Sequence, residues 1–273
     1  MLKVAKRIAI LMMLLGMNVQ LSGCASPSQR IDERAAALGY RRLVVRGEGY
    51  EHVAYLKAGP ATKVSALHVY LEGDGTPWIR KGMAASDPTP RTPLMLDLMS
   101  LDPAPSVYLG RPCYHGLNKV KACTPDIWTD RRYSEAVIAS MSAALDSLSV
   151  DYQVLVLLGY SGGGTLAMLI AERQPKTGTV ITVAANLDTA RWAEMHKQQP
   201  MPGSLNPATR PALPPRIRQM HFAGDDDDNV TPLLVRDAIA QQHGAELKVL
   251  AGQDHSCCWR EVWPEILGRL TAD

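Results

Sequence analysis

A nearly unbroken apolar run that ends in a glycine-rich turn restricts the fold of this chain more than any other feature. The run is YQVLVLLG, 152 to 159, and after Tyr160 and Ser161 it gives way to the helical pattern GGTLAMLIAERQP, 163 to 175. Strands that are apolar at successive positions are typical of parallel sheets, which are buried on both faces. Because parallel strands are joined by crossovers that usually contain a helix, this stretch predicts a strand-turn-helix unit inside a covered sheet.

The same alternation of strand and helix patterns extends along the rest of the chain. The segment RRLVVRGEGYEHVAYLKAG, 41 to 59, predicts a hairpin, and a helix with Thr231 as N-cap and Pro232 at its first position is expected to end at Gly244. Continuous apolar strands between amphipathic helices predict an α/β protein with a mostly parallel sheet and helices on both faces. The proline-rich segment 188 to 215 is expected to form a small cap region.

The turn after the apolar run contains the candidate nucleophile. Its residues Gly159, Tyr160, Ser161, Gly162 and Gly163 follow the pattern G-x-S-x-G, which between a strand and a helix is typical of a nucleophile elbow. Glycine suits the flanking positions because the turn is sharp and side chains there would collide with the strand and the helix. The alternatives are a plain turn and a phosphate-binding loop, but the lysine and the glycine spacing of phosphate loops are missing.

From about Arg41 to the C-terminus the chain resembles the α/β-hydrolase superfamily. The segments EGDGTPW, RPC, GYSGGG, NLD and DHS together resemble, more narrowly, a group of bacterial lipoproteins described as hydrolases. The resemblance implies the α/β-hydrolase fold and a triad whose members follow one another as serine, acid and histidine, with the histidine in the loop after the last strand. It implies no metal and no organic cofactor.

His255 is the candidate general base. It alone among the seven histidines lies in the loop between the last strand pattern and the last helix pattern, in GQDHSCCW. A general base must reach the serine hydroxyl while a carboxylate holds its other ring nitrogen, and a loop at a strand end facing the elbow can meet both requirements.

The candidate acid lies in GDDDDNV, which follows a strand pattern and precedes a helix. Counting from Gly224 as the superfamily pattern does selects Asp227, with Asp226 and Asp228 as neighbours in register. Asp188, after another strand pattern, is the alternative acid. A calcium loop of the EF-hand type is a further alternative for the aspartate run, but the glycine and the closing glutamate that it requires are absent.

Two backbone N–H groups are expected to bind the oxyanion of an acyl-transfer reaction. One is that of Gly162, which follows the nucleophile. By the match of GDG to the superfamily's His-Gly segment, the other is that of Asp74. Glu72 stands where many relatives have histidine, and an ordinary Gly-Asp-Gly turn is the alternative.

The first 23 residues are expected to be a lipoprotein signal peptide. They combine a basic start with a short apolar run, and 21 to 24, LSGC, resembles a lipobox whose Cys24 becomes the lipidated N-terminus. Residues 24 to 39 are then a tether and 40 to 273 the hydrolase domain, held at the periplasmic side of the bacterial outer membrane. The alternatives are an uncleaved anchor helix and secretion with a free Cys24. The formal charge is +2, and loss of three basic residues with the leader leaves −1, which gives no reason to expect nucleic acid.

Four further cysteines are disulfide candidates if the chain is exported. Cys113 and Cys123 flank a short loop and form a natural pair, whereas Cys257 and Cys258 are adjacent in the sequence. Four cysteines allow three connectivities, and the sequence does not select one. A zinc site built from histidines and these thiols would lack the usual ligand spacing.

The residues therefore support two hypotheses of different classes. The first is a membrane-anchored serine hydrolase, best described as a carboxylesterase acting on a small-molecule ester or other acyl substrate, with a peptidase or thioesterase as variants. In it Trp192, Met195 and Met201 line an acyl pocket or are simple packing. The second is an inactive binding or envelope lipoprotein that kept the fold. The oligomeric state is left open.

Overall fold

A computed structural model describes residues 25 to 57 and 66 to 270. Its strands are β1 (Arg41–Arg46), β2 (Glu51–Leu56), β3 (Ala66–Leu71), β4 (Trp78–Arg80), β5 (Met83–Ala84), β6 (Ser106–Leu109), β7 (Val154–Tyr160), β8 (Thr177–Val183), β9 (Arg218–Gly224) and β10 (Glu246–Leu250). Its α-helices are α1 (Pro27–Ala37), α2 (Leu94–Met99), α3 (Glu135–Leu148), α4 (Gly162–Arg173), α5 (Thr189–Met195), α6 (Pro232–Ala238) and α7 (Trp259–Gly268). Short 3₁₀ turns occupy Leu117–Lys119, Pro125–Trp128 and Pro207–Thr209.

Eight of the strands form one sheet in the order β1-β2-β6-β3-β7-β8-β9-β10. The pairs β1/β2 and β2/β6 are antiparallel and all other neighbours are parallel. Strands β4 and β5 form a separate hairpin. The predicted α/β class with a mostly parallel sheet is confirmed, and the predicted hairpin forms β1 and β2 at one edge of that sheet.

The sheet is covered on both faces, and β7 shows how the sequence achieves this. Leu155 and Leu157 belong to a core cluster shared with α3, α4 and α6. Val156 and Leu158, which alternate with them, belong to a second cluster shared with α1, α2 and α7. Since successive side chains of a strand point to opposite faces, a strand between two helical layers must be apolar throughout.

The segment predicted to be a tether contains a helix, which corrects the prediction for 27 to 37. Ser26 and Gln29 form a capping box at the start of α1, and Ile31 and Ala35, one turn apart, are 1% exposed. The few apolar residues in a polar sequence thus share one buried stripe. Of the other predicted parts, residues 1 to 23 and Cys24 lie outside the described residues, and the domain limits stay predictions.

Helix α6 begins as predicted but ends at Ala238 instead of Gly244. Thr231 caps it and Pro232 occupies its first turn. After Ile239, which is still buried, the residues before Gly244 are an exposed alanine, Ala240, and three polar side chains, so nothing extends the buried face of the helix. Within the described residues, none of the helices is both long enough and apolar enough to cross a membrane.

Candidate active site

Ser161 stands at the junction of β7 and α4 with a backbone that non-glycine residues rarely adopt, φ 51° and ψ −121°. The close packing around this turn explains its glycines. A Cβ added to Gly159 would overlap the backbone of Gly163, and one added to Gly163 would overlap the carbonyl oxygen of Leu71 in β3. The strand-turn-helix geometry predicted from G-x-S-x-G is therefore present, and it places the Ser161 side chain beyond the carboxyl end of β7.

The structure brings together the three residues that the sequence selected for a triad. His255 Nε2 lies 3.1 Å from Ser161 Oγ, and His255 Nδ1 lies 2.9 Å from Asp227 Oδ2. Ser161 follows β7, Asp227 follows β9 and His255 follows β10, so all three stand at the same edge of the parallel sheet. The hydrogen bonds connect a carboxylate, an imidazole and a hydroxyl in the order that activation of a serine requires.

Asp227 is the one member of the aspartate run that is buried, at 2% exposure. Its Oδ1 accepts the backbone N–H groups of Asn229, at 2.9 Å, and Val230, at 2.7 Å, which leaves Oδ2 for His255. The other three aspartates of the run are exposed. The alternative acid, Asp188, caps α5 through the N–H of Arg191 and is not in contact with His255.

The loop that carries His255 is held on both sides. Asp254 Oδ1 accepts the backbone N–H groups of Ser256 and Cys257, and these bonds lower the pKa of the Asp254 carboxyl. The buried Trp259 donates its indole N–H to the carbonyl oxygen of His255 at 3.3 Å. The position of the imidazole is thus fixed by the loop as well as by Asp227.

Two disulfides join the four candidate cysteines, Cys113 with Cys123 and Cys257 with Cys258. The second pair precedes α7 and follows His255 by two residues. With all four thiols paired, no zinc site can use them in this state. The described residues contain no group of three or more histidine, cysteine, aspartate or glutamate side chains placed to hold a metal ion.

The loop after β3 lies against the elbow, where the oxyanion donors were expected. A Cβ added to Gly73 would lie 3.5 Å from the Cβ of Ser161, and one added to Gly162 would overlap the Asp74 carboxylate. The Gly73 N–H is donated to Glu72 Oε1, whereas the Asp74 N–H has no partner within the part of the chain that the structure describes. Asp74 therefore offers a backbone N–H without a partner in this loop, and its role in binding an oxyanion stays a prediction.

The Asp74 side chain is held by a cluster that the sequence analysis missed. Its carboxylate accepts hydrogen bonds from Arg111 at 2.8 Å, Arg132 at 2.7 Å and the Tyr133 hydroxyl, and its carbonyl oxygen accepts one from the Tyr114 hydroxyl. Burial opposes ionisation, but Arg132 and Arg111 keep the pKa of Asp74 below its ordinary value. Two arginines on one carboxylate leave an excess positive charge beside the first turn of α4, where N–H groups already favour anions.

Glu72 is buried just before this loop. Its carboxylate accepts the N–H groups of Gly73 at 3.1 Å and Met95 at 2.9 Å, the second of which belongs to the first turn of α2. Burial raises the pKa of Glu72 to about 7, in spite of these two hydrogen bonds. The residue in the place of the relatives' histidine thus connects the elbow-facing loop to α2, and it titrates near neutral pH.

The Glu72 pKa predicts a pH dependence of stability. Between its ordinary pKa of 4.5 and about 7, the folded protein holds a proton that the unfolded chain has released, so the free energy of unfolding falls as pH rises. In Glu72→Gln this contribution, at most about 3 kcal/mol, disappears. Urea unfolding at pH 4.5 and pH 8 measures it: the variant gains stability relative to wild type at the higher pH. The control Glu246→Gln, on the exposed side of β10, shows no gain, and an equal gain there contradicts the assignment.

Ser161 and His255 open into a pocket of about 1240 Å³. One wall comes from the predicted cap region and includes Trp192 and Met201. Met195 does not line the pocket and is 46% exposed, so its predicted place there is wrong: it lies at the outer end of α5. A mostly apolar pocket with a few polar groups at its base is the usual form of a small-molecule site.

Comparison with known proteins finds structural likeness only. No protein-family model matches the chain, and no curated protein is similar in sequence. The esterase Pf2001 of Pyrococcus furiosus is 12% identical, over 91% of this chain and 94% of its own, with a TM-score of 0.58. The proline iminopeptidase of Mycobacterium smegmatis is 14% identical, over 85% of this chain and 100% of its own, with a TM-score of 0.59. A membrane phospholipase A described as a bacterial virulence factor is 12% identical, over 100% of this chain and 97% of its own, with a TM-score of 0.59.

The chain has the α/β-hydrolase fold, which it shares with solved structures described as α/β hydrolases. The fold that the sequence resemblance implied is thereby confirmed. The three similar proteins are an esterase, a peptidase and a phospholipase. Because proteins of one fold catalyse these different reactions, the fold does not identify the substrate. The acyl group that this protein accepts must be argued from the residues of its own candidate site.

Proposed function

We propose that this protein is a serine hydrolase that cleaves esters through an acyl-enzyme. The observation that carries the proposal is the unbroken hydrogen-bond chain from Asp227 through His255 to Ser161 at the base of an open pocket. A fold that had lost turnover has no need to keep a buried carboxylate, an imidazole and a strained serine aligned.

The reaction follows from the positions of these groups. His255 Nε2 removes the proton of Ser161 Oγ as the oxygen attacks the substrate carbonyl carbon, and the carbonyl electron pair moves to its oxygen. The N–H groups of Gly162 and Asp74 bind that oxyanion. The intermediate collapses to an acyl-Ser161 ester as the leaving alkoxide takes the proton from His255. Water then repeats the sequence and releases the acid, while Asp227 holds the imidazole and stabilises its charge.

Carboxylesterase activity on small-molecule esters is the finer part of the proposal. The cap region leaves the pocket open, and its Trp192 and Met201 offer an apolar surface to an acyl or alcohol group. We propose in addition that lipidated Cys24 anchors the protein to the periplasmic face of the outer membrane. The intact mass of the protein extracted from membranes tests this, because lipidation adds the mass of the lipid to a chain that begins at Cys24. Cys24 lies outside the described residues.

Covalent labelling tests the nucleophile directly. A fluorophosphonate phosphonylates an activated serine with loss of fluoride, so we expect one adduct, located by mass spectrometry on the peptide that contains Ser161, and none after heat denaturation. p-Nitrophenyl butyrate is expected to be hydrolysed much faster than the butyryl anilide, and the reverse preference would favour a peptidase. Absence of both the adduct and ester hydrolysis contradicts the proposal and favours the inactive binding lipoprotein.

A further inference from the structure

The hairpin formed by β4 and β5 exposes apolar side chains in an unusual concentration. Of the ten large hydrophobic residues exposed among those described, three lie here: Trp78 at 37%, Ile79 at 60% and Met83 at 42%. The hairpin pairs with no strand of the main sheet, and Arg80, Lys81 and Gly82 form its exposed tip. Isolated exposed apolar residues need no explanation, but a cluster on a projecting element is typical of an interaction surface.

This hairpin borders the mouth of the candidate active site. Trp78, Arg80 and Lys81 line the same pocket as Ser161 and His255. Ile79, which alternates with Trp78 and Arg80 along β4, and Met83 do not line it. Whatever binds Ile79 and Met83 is therefore brought next to the pocket opening without filling it.

The charge around the mouth is positive. Arg80 and Lys81 at the hairpin tip, with Arg91 and Lys197 elsewhere on the pocket lining, have no side-chain hydrogen bond or ion pair in the described part of the chain. None of the three acidic residues of the lining forms an ion pair with these cations in the described part of the chain: Glu72 is buried, Asp74 is paired with two arginines, and Asp130 accepts the backbone N–H of Gly203. An anionic surface would thus meet unpaired cations at this edge.

We propose that the β4–β5 hairpin docks on an anionic lipid bilayer and places the pocket mouth against it. Exposed tryptophan, isoleucine and methionine side chains gain by entering the boundary between headgroups and acyl chains, while the adjacent arginine and lysine attract anionic headgroups. The combination of apolar side chains and unpaired cations on one hairpin selects a charged lipid surface over an apolar protein groove, which would leave both cations without counter-charges.

The start of α1 supports the same orientation. Ser28 donates its backbone N–H and hydroxyl to Asp87 Oδ2, at 3.2 and 2.8 Å, and Asp87 follows the end of β5 by three residues. The N-terminal end of the described chain is thereby fixed close to the base of the hairpin. A lipid on Cys24, four residues and at most about 14 Å of chain before Ser28, would enter the membrane on this side of the molecule. This step, unlike the hairpin argument, rests on the proposed lipidation.

Vesicle binding tests the proposal without the lipid anchor. All the contacts described above lie between residues 25 and 270, so a chain that begins at Ala25 keeps the folded body. We expect it to sediment with phosphatidylglycerol-containing vesicles and, at least tenfold more weakly, with phosphatidylcholine alone. The double variant Ile79→Ser/Met83→Ser is expected to lose at least tenfold in vesicle binding and to keep its thermal stability and its hydrolysis of a soluble ester.

Two further variants make the result decisive. Val150→Ser removes a side chain that is 73% exposed but lies ahead of β7, at the sheet edge opposite Ser161, and should leave binding unchanged. Arg80→Gln/Lys81→Gln is expected to remove the preference for anionic vesicles. The proposal is overturned if the Ile79/Met83 variant binds vesicles like wild type, or if Val150→Ser weakens binding as much. Because fluorophosphonate labelling of Ser161 is measured separately, failure here is distinct from failure of the proposed hydrolase function.

Discussion

Replacement of Ser161 by alanine is expected to lower kcat for a short soluble ester by roughly 10⁴- to 10⁶-fold. The alanine keeps the Cβ and tolerates the elbow backbone as serine does, so the sheet, the oxyanion donors and the Asp227–His255 hydrogen bond should persist. Only the nucleophilic oxygen is lost. Residual turnover would reflect oxyanion binding and water attack, and steady-state kinetics with p-nitrophenyl butyrate measures the difference.

The control for this variant is Ser256→Ala. Ser256 is exposed and follows His255 directly, and among the described residues its hydroxyl hydrogen-bonds only to Asp254. It therefore tests whether loss of a serine hydroxyl near the imidazole has any effect of its own, and kcat should stay close to wild type. If Ser161→Ala retains most of the activity with an unchanged melting temperature, another residue is the nucleophile and the proposed function is wrong.

The elbow turn and the placement of Ser161, Asp227 and His255 beside one another were accessible from the sequence because each rests on local constraints. Gly159 approaches Gly163, and Gly163 approaches Leu71, so closely that neither position has room for a side chain. The turn therefore requires glycines on both sides of the serine, and this pattern is visible in the sequence. Asp227 was selected by a count from Gly224, and the count works because the N–H groups of Asn229 and Val230 fix the direction of that one side chain.

The features that escaped prediction depend on contacts between distant parts of the chain. The pairing of Asp74 with Arg111 and Arg132 joins residues 37 and 58 positions apart, and no local pattern marks them as partners. Segment 27 to 37 resembled a tether because its only buried large side chain is Ile31 and its helix is completed by packing on the sheet. Sequence periodicity detects helices with a continuous apolar face. It misses this helix because its apolar face is narrow.

Asp227→Asn is expected to lower kcat by roughly 10⁴-fold while the protein stays folded. In wild type, Asp227 Oδ1 accepts the N–H groups of Asn229 and Val230, and Oδ2 faces His255. An amide nitrogen cannot accept a hydrogen bond, so the side-chain oxygen of the asparagine must keep the Oδ1 position. Its nitrogen then takes the Oδ2 position, facing His255. It then donates to Nδ1, and the imidazole carries its proton on Nε2. A protonated Nε2 cannot remove the proton of Ser161, although every atom position is retained.

Two matched variants assign this effect to one carboxylate. Asp225→Asn changes an exposed member of the same run whose oxygen accepts the N–H of Gly252, and Asp188→Asn changes the cap of α5, so neither should lower kcat by more than a few-fold. If Asp188→Asn proves to be the damaging change, the acid of the triad is Asp188, and the hydrogen bond between Asp227 and His255 is structural.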